Sequence, residues 1–296
     1  MKHTWILLIL LYGIFKGLRE ALKKKSMEKH SVVEVLFFYT LFAFIMTIPF
    51  SINQGILDVS LKYHIAIFIK AFIIFVAWLC ALNSIKRLPL SIYGVMDMGR
   101  MLFTIVLGVV FLGETIGLFQ GVGMAFVLVG VTLVNFSTKK KSGENTTLKV
   151  LPLVLASCIL NATSGVLDKF LLSTTTDRII FGTEILTPTQ MQFWYMLYLT
   201  SFYFIYILIK KEKINVKKCV KSPWIWILSA LFITADKALF VANADPNSQV
   251  VVMTLIKQCS VLVTIALGRI IYKEKDIFYR VCCAIIIIAG ITISVI

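Results

Sequence analysis

Ionisable side chains lie deep within long apolar stretches of this sequence. Asp97 and Arg100 are one helical turn apart inside the apolar run from Ile92 to Glu114, so a helix would place them on one face. About 20 apolar residues in a helix cross the hydrocarbon core of a bilayer. Ionised groups are expensive at that depth, and proteins that keep them use them for transport, proton relay or pairing. The pattern predicts a polar site inside a membrane protein.

The candidate substrate-binding residues share this position inside or close to an apolar run. Glu20 and Asp168 are related by a shift of 148 positions, and Lys16 lies four residues before Glu20, the spacing of a local ion pair on a helix. Two interpretations stay open for the whole set, contact with substrate and pairing as internal struts. The set is Lys16, Glu20, Asp97, Arg100, Asp168, Asp236, Lys237 and Lys257.

Other charges near the apolar runs are less informative. Arg19, Glu34 and Lys169 lie near the ends of predicted spans, where long side chains reach headgroups or water. Lys70 stands about seven residues into its span and fits either interpretation. Deep cations outnumber deep acids, and Lys and Arg bind carboxylate and phosphate. This balance favours an anionic or zwitterionic metabolite over an organic cation.

Several kinds of chemistry find no support in the residue pattern. The six cysteines and three histidines show no metal-ligand spacing, and neither HExxH nor a Ser–His–Asp arrangement is present. We therefore expect no metal, no cofactor and no catalytic residues, and we expect the thiols to be free. The net charge of +15 arises mainly from Lys and Arg that flank apolar runs. Such residues act as topology signals and headgroup contacts, so nucleic-acid binding is not expected.

The composition is that of an integral membrane protein. The 296 residues are 59% hydrophobic and only 15% charged, with a mean hydropathy of +0.90, whereas soluble domains are about 25% charged. At about 28–30 residues per span and loop the length accommodates about ten helices. The predicted fold is all-α, with spans at roughly 4–22, 31–51, 63–84, 89–112, 116–136, 149–172, 190–209, 223–242, 247–271 and 277–296.

The second half of the sequence resembles the first. A shift of 160 positions aligns Leu102, Thr104 and Gly108 with Leu262, Thr264 and Gly268. We predict a five-helix repeat over residues 1–136, a polar linker over 137–148 and a second five-helix repeat over 149–296. The same shift pairs Asp97 with Lys257. From this we predict that their side chains approach across the pseudo-twofold axis and neutralise each other.

The basic residues predict how the chain is oriented in the membrane. The connections after the odd-numbered spans hold 21 Lys and Arg, against Lys2, Lys62 and Arg178 on the opposite side. Basic loops stay in the cytoplasm, so both termini are predicted on the non-cytoplasmic side of the cell membrane. Five spans per half is an odd number, and the second repeat is therefore inverted relative to the first.

The pattern resembles the EamA-type branch of the drug/metabolite transporter superfamily. The resemblance rests on two five-helix halves and on a fourth span that runs into Gly113 and Glu114 before a glycine-containing fifth span. In the second half Lys273 and Glu274 replace that pair. The resemblance implies alternating access and a central cavity walled by spans 1, 3, 4, 6, 8 and 9, with spans 5 and 10 behind. Many members of the family have cytoplasmic termini, which the charges of this chain contradict.

The function predicted from these observations is secondary transport of a small polar metabolite. An amino acid, a sugar phosphate or a nucleotide-type compound would suit the excess of cations. Alternatives are an exporter of cationic amines or drugs and a membrane enzyme that acts on a lipid-linked substrate. The expected partners are the substrate and the bilayer. Gly13 and Gly17 form a small-xxx-small face that we assign to packing within the chain, so a monomer or weak homodimer is expected.

Overall fold

The fold is all-helical over the residues described by the computed structural model, which are 4–52, 55–97, 99–139, 144–172, 185–273 and 277–295. These ranges contain thirteen helices and no strand. In chain order they are α1 Thr4–Ser26, α2 Val32–Ser51, α3 Leu61–Arg87, α4 Leu90–Asp97, α5 Arg100–Leu112, α6 Leu118–Lys139, α7 Glu144–Leu172, α8 Pro188–Lys210, α9 Val216–Val220, α10 Pro223–Ala244, α11 Val250–Ile256, α12 Cys259–Tyr272 and α13 Ile277–Val295.

Local signals in the sequence explain where several helices begin and end. Ser31 and Glu34 form a capping box at the start of α2, in which each side chain accepts from the backbone N–H of the other residue. Thr187 and Gln190 do the same for α8. At its C-terminus α5 ends at Gly113, whose φ of 62° is left-handed and suits a residue without Cβ.

Six of the described helical segments are long and apolar enough to cross a membrane. This count takes α11 and α12 as one segment. The protein is therefore a multi-pass membrane protein. They are Val32–Ser51, Leu61–Arg87, Val150–Leu172, Pro188–Lys210, Pro223–Ala244 and Val250–Tyr272. Three shorter apolar stretches lie at Arg100–Leu112, Leu118–Gly130 and Val281–Gly290. The C-terminal half of α1 is rich in charge. The count of ten spans stays a prediction.

Two predicted spans are interrupted in the middle. The span expected over 89–112 is divided between α4 and α5, and the span expected over 247–271 is divided between α11 and α12. Around each interruption the backbone N–H bonds the carbonyl three residues back, as in Leu102 to Gly99 and Val261 to Gln258. This pattern is a tightened 3₁₀ turn. Asp97 and Lys257, related by the 160-residue shift, lie at the two interruptions.

The two halves of the sequence interleave in space. Helix α1 packs against α10 and α12, α2 packs against α8, α3 packs against α7, and α6 packs against α13. The predicted linker 137–148 is shortened from both ends, because α6 continues to Lys139 and α7 begins at Glu144. Residues 140–143 of that linker lie outside the described residues. The division of the chain into two repeats stays a prediction.

Glycines allow α1 to approach the second interruption closely. A Cβ on Gly17 would lie 2.5 Å from Val263 Cβ and 2.7 Å from the Ser260 carbonyl oxygen. A Cβ on Gly13 would collide with Cys259 Sγ. The small-xxx-small face of α1 is thus used for packing within the chain, where it presses α1 against α12 and the turn before it.

Glu114 connects the two interrupted spans. Its Oε1 and Oε2 atoms accept the backbone N–H groups of Val250 and Val251 at 2.8 and 3.0 Å. These N–H groups belong to the first turn of α11, which has no intrahelical acceptors for them. A carboxylate at a helix N-terminus is also favoured by the helix dipole. The glutamate that follows α5 therefore holds the start of α11 in place.

Candidate functional site

The interrupted helices border a polar cavity of about 100 Å³ in the middle of the helix assembly. Helices α1, α3, α4, α5, α7, α10 and α11 all line it, with Tyr195 from α8 and Gln258 from the turn after α11. Described residues of α6 and α13 are not among its lining. Charged groups dominate the wall. They are Lys16, Arg19, Glu20, Lys23, Lys70, Asp97, Arg100, Asp168, Asp236 and Lys257.

Asp97 forms ion pairs with two cations from its own half of the sequence. Lys16 Nζ lies 2.6 Å from Asp97 Oδ2, and Arg100 Nη2 lies 3.6 Å from the same oxygen. Arg100 reaches back one turn across the interruption between α4 and α5. The sequence-based local pair between Lys16 and Glu20 is wrong, because Lys16 points to α4 and Glu20 pairs with Lys23 at 2.9 Å.

Two further ion pairs join the first half of the sequence to the second. Arg19 Nη1 lies 3.2 Å from Asp236 Oδ1, and the guanidinium also faces the Phe232 ring at 5.1 Å. Lys70 Nζ lies 2.9 Å from Asp168 Oδ1 and only 3.5 Å from the centroid of the Tyr195 ring. Aromatic faces stabilise a desolvated cation. These contacts explain how the interior holds charges that lipid would not.

Lys257 differs from the other cations of the wall. Among the described residues no carboxylate lies within 4 Å of its ammonium group, which faces the Tyr12 ring at 5.4 Å. The predicted pair between Asp97 and Lys257 is therefore wrong. Asp97 is already paired with Lys16 and Arg100, and Lys257 is the C-cap residue that follows α11.

Lys237 lies outside the cavity. Its Nζ donates to Thr189 Oγ1 in the first turn of α8, and the side chain is half-buried. It follows Asp236 on α10, and successive residues of a helix point about 100° apart. The other seven predicted site residues all line the cavity.

Arg19, Lys23 and Lys70 also belong to the cavity wall, although the predicted set of substrate-binding residues leaves them out. The sequence places Arg19 near a span end, and Lys70 is compatible with either interpretation. For Arg19 and Lys23 the sequence does contain a pattern that places them in the wall. Tyr12, Lys16, Arg19 and Lys23 follow one another at spacings of four, three and four residues, which is one face of a helix. A polar stripe of this kind on a membrane helix faces the protein interior.

Several buried polar atoms of residues in the wall have no hydrogen-bond partner in the part of the chain that the structure describes. They are Arg19 Nε, Glu20 Oε2 and Asn243 Oδ1, and all three residues line the cavity. A buried polar group without a partner costs about 1–3 kcal/mol. A polar ligand that supplied these partners would recover that free energy, so the cavity has the chemistry of a binding site.

The tightened turn after α11 is held by side chains. Gln258 Nε2 donates to the Thr254 carbonyl at 2.9 Å, which replaces the backbone bond that a regular helix would make there. Thr264 Oγ1 donates to the Val261 carbonyl at 2.8 Å. Gln258 and Thr254 both line the cavity, so the turn is part of the site.

Comparisons with known proteins agree with this architecture. Residues 3–136 match the EamA-like transporter family. The match covers the first half of the sequence and supports its resemblance to EamA-type transporters of the drug/metabolite transporter superfamily. No curated protein matches the sequence.

A solved structure described only as the crystal structure of a protein is similar in fold. Its TM-score is 0.70 at 10% identity, and the match covers 96% of this chain and 95% of that one. At this identity the similarity extends to the fold alone. The correspondence over nearly the whole length includes the second half, which the family match does not reach.

Proposed function

We propose that the protein is a secondary transporter that moves a small anionic or zwitterionic metabolite across the cell membrane by alternating access. The observation that carries this proposal is the central cavity, whose wall combines a lysine that has no carboxylate partner among the described residues with residues that have unsatisfied polar atoms. The protein acts as a carrier and not as an enzyme, as a monomer or weak homodimer, and needs no cofactor.

The charge of the cavity wall supports an anionic group on the substrate. Six cations and four carboxylates line it, and all four carboxylates are already in ion pairs. Lys257 is the group that a substrate carboxylate or phosphate would neutralise. The free Oε2 atom of Glu20 would accept from an amino group, which favours a zwitterion such as an amino acid. A sugar phosphate or nucleotide-type compound would need the cavity to widen.

The paired interruptions support the transport mechanism. Transporters with inverted repeats bind substrate near the middle of the membrane, at discontinuous helices in corresponding positions of the two halves. Here the two tightened turns are related by the 160-residue shift and both border the cavity. We propose ten spans in two inverted five-helix repeats, which rock around these turns and open the cavity to each side in alternation.

The test is a thermal-shift screen of the detergent-purified protein against a metabolite library. A ligand that binds the folded state raises the melting temperature by mass action. We expect stabilisation by one class of carboxylate or phosphate compounds, lost in Lys257→Met. Lys237→Met is the matched control, because it removes a half-buried cation that lies outside the cavity, and it should keep the response. The hit should then be taken up by proteoliposomes that contain the wild type.

Each alternative has its own outcome in this experiment. Stabilisation by amines only would favour export of organic cations and would refute the anionic substrate. Conversion of a lipid-linked compound without uptake by proteoliposomes would favour a membrane enzyme. Hits that persist in Lys257→Met would show that this lysine does not bind substrate.

A further inference from the structure

A second cluster of ligand-forming side chains lies away from the cavity. His30 is in the connection between α1 and α2, Glu34 is in the first turn of α2, and Cys219 is on the short helix α9. Their ligand atoms all lie within 4.8 Å of one another, and His30 Nδ1 is 3.4 Å from Cys219 Sγ. None of the three lines the central cavity.

The spacing of these atoms suits zinc. Zinc binds nitrogen at about 2.0–2.1 Å and sulfur at about 2.3 Å in a tetrahedron, in which neighbouring ligand atoms are roughly 3.3–3.8 Å apart. The separation of 3.4 Å between His30 Nδ1 and Cys219 Sγ already equals such an edge. Adjustment of the Glu34 carboxylate by less than about 1.5 Å would complete three corners, and the fourth is left for water.

The carboxylate is held in place by backbone groups. Glu34 Oε2 accepts from Ser31 N at 2.8 Å, and Oε1 accepts from Asn215 N at 2.9 Å. Each carboxylate oxygen has two lone pairs, so it can bind a metal and keep its backbone hydrogen bond. Hydrogen bonds of this kind orient metal ligands and tune their affinity.

The surroundings leave the ligands available. His30 and Cys219 are 6% and 0% exposed, and the ammonium of Lys218 is turned away to the Lys29 carbonyl at 2.6 Å.

We propose that His30, Glu34 and Cys219 bind a Zn²⁺ ion. On binding, the Cys219 thiol loses its proton to solvent and its sulfur forms the metal bond as a thiolate. The combination of thiolate, imidazole and carboxylate favours zinc over magnesium and calcium, which prefer oxygen ligands only. His30 and Glu34 belong to the first half of the chain and Cys219 to the second, so the ion ties the α1–α2 connection to the segment between α8 and α10.

The sequence contains no regular spacing for this site. His30 and Glu34 stand four residues apart, but Cys219 follows His30 by 189 residues. Only the packing of α9 against the start of α2 brings the third ligand near. This proposal replaces the expectation from the sequence that the chain has no metal site.

The test uses the full-length protein without a polyhistidine tag, treated with EDTA and then dialysed against zinc chloride. We expect about one zinc per chain by elemental analysis and a zinc-dependent rise in melting temperature. Cys219→Ser should weaken zinc binding at least about ten-fold. Cys158→Ser is the matched control, since Cys158 is a buried cysteine on another helix, and it should bind zinc like the wild type.

Cobalt provides a second measurement that needs no variant. Co²⁺ bound in place of zinc gives a thiolate charge-transfer absorption, which should be present in the wild type and in Cys158→Ser. Absence of zinc and of this absorption in the wild type would overturn the proposal. Zinc affinity that is unchanged in Cys219→Ser would overturn it equally.

Discussion

At the residue scale, the interior is stabilised by specific pairing of charges between helices. Arg19 pairs with Asp236 and Lys70 pairs with Asp168, and each cation also faces an aromatic ring. Desolvation of two charges costs several kcal/mol, which good geometry offsets. Removal of one partner leaves the other charge buried without compensation, so the pairs are more important to the fold than their net free energy indicates.

Lys70→Met should reduce the free energy of unfolding by about 3–5 kcal/mol, since Asp168 would be left buried without its cation. The double variant Lys70→Met with Asp168→Leu should recover much of this loss, because an apolar pair of similar size is often tolerated in place of a buried ion pair. Thermal unfolding of the purified variants in detergent measures both effects.

The control is an ion pair of similar length on the surface. Lys25 Nζ lies 2.7 Å from Glu28 Oε2, and the two side chains are 36% and 44% exposed. Exposed pairs contribute about 0–1 kcal/mol, so Lys25→Met should change the melting temperature little. Equal losses in Lys25→Met and Lys70→Met would refute the assignment of Lys70 and Asp168 as a buried structural pair.

Residue positions were easier to predict from the sequence than residue partners. A charge inside an apolar run must face the protein interior, and seven of the eight predicted site residues do line the cavity. Their partners depend on tertiary packing, because Lys16 and Asp97 are 81 residues apart and Arg19 and Asp236 are 217 apart. Repeat symmetry paired Asp97 with Lys257, whereas a closer lysine on α1 occupies Asp97.

At the element scale, the tightened turns depend on tertiary contacts that a single sequence does not show. Residues 257 and 258 are Lys and Gln, and neither breaks a helix by itself. The turn persists because the Gln258 amide replaces a backbone hydrogen bond and α1 presses against the adjoining helix. Apolar length alone therefore predicted two continuous spans and missed the interruption in each.

Gly17→Ala tests the close approach of α1 to α12. The new methyl group would lie 2.5 Å from Val263 Cβ and 2.7 Å from a backbone oxygen of Ser260. Neither atom can withdraw without movement of the helix, so we expect a loss of about 1–3 kcal/mol in stability from overpacking. Substrate binding should weaken with it, since α1 and α11 both line the cavity.

Gly121→Ala is the matched control on α6. A Cβ there meets no heavy atom within 4 Å, and alanine favours a helix over glycine by about 1 kcal/mol. This variant should be as stable as the wild type or more stable. If the Gly17→Ala protein had the same melting temperature as the Gly121→Ala protein, the close packing of α1 would be contradicted.

At the scale of the whole molecule, the connections sort onto two faces. Lys24 donates to the Leu88 carbonyl after α3 and faces the Tyr272 ring at the end of α12. On the other side Gln190 donates to the Gly55 carbonyl, and Gln120 pairs with Gln249. The basic connections after predicted spans 1, 3 and 9 thus lie close to one another.

Fusion proteins test the predicted orientation. Alkaline phosphatase attached after the C-terminus should be active, because this enzyme folds only outside the cytoplasm. The basic connections are expected in the cytoplasm, which places the C-terminus on the opposite side of the membrane. The same reporter inserted after Lys213, between α8 and α9, should be inactive. The reverse pattern of activities would place the termini in the cytoplasm and refute the prediction from charge.

The ion pairs between the two halves also constrain how the protein is made. Arg19 is synthesised 217 residues before Asp236, and at about 5–20 residues per second this interval is roughly 10–40 s. During that time the translocon, water or lipid headgroups must accommodate the cation of a helix already delivered to the membrane. The buried ion pairs of the first half are therefore completed only after the second half has been synthesised, and a chain that stops before Asp236 leaves Arg19 without this partner.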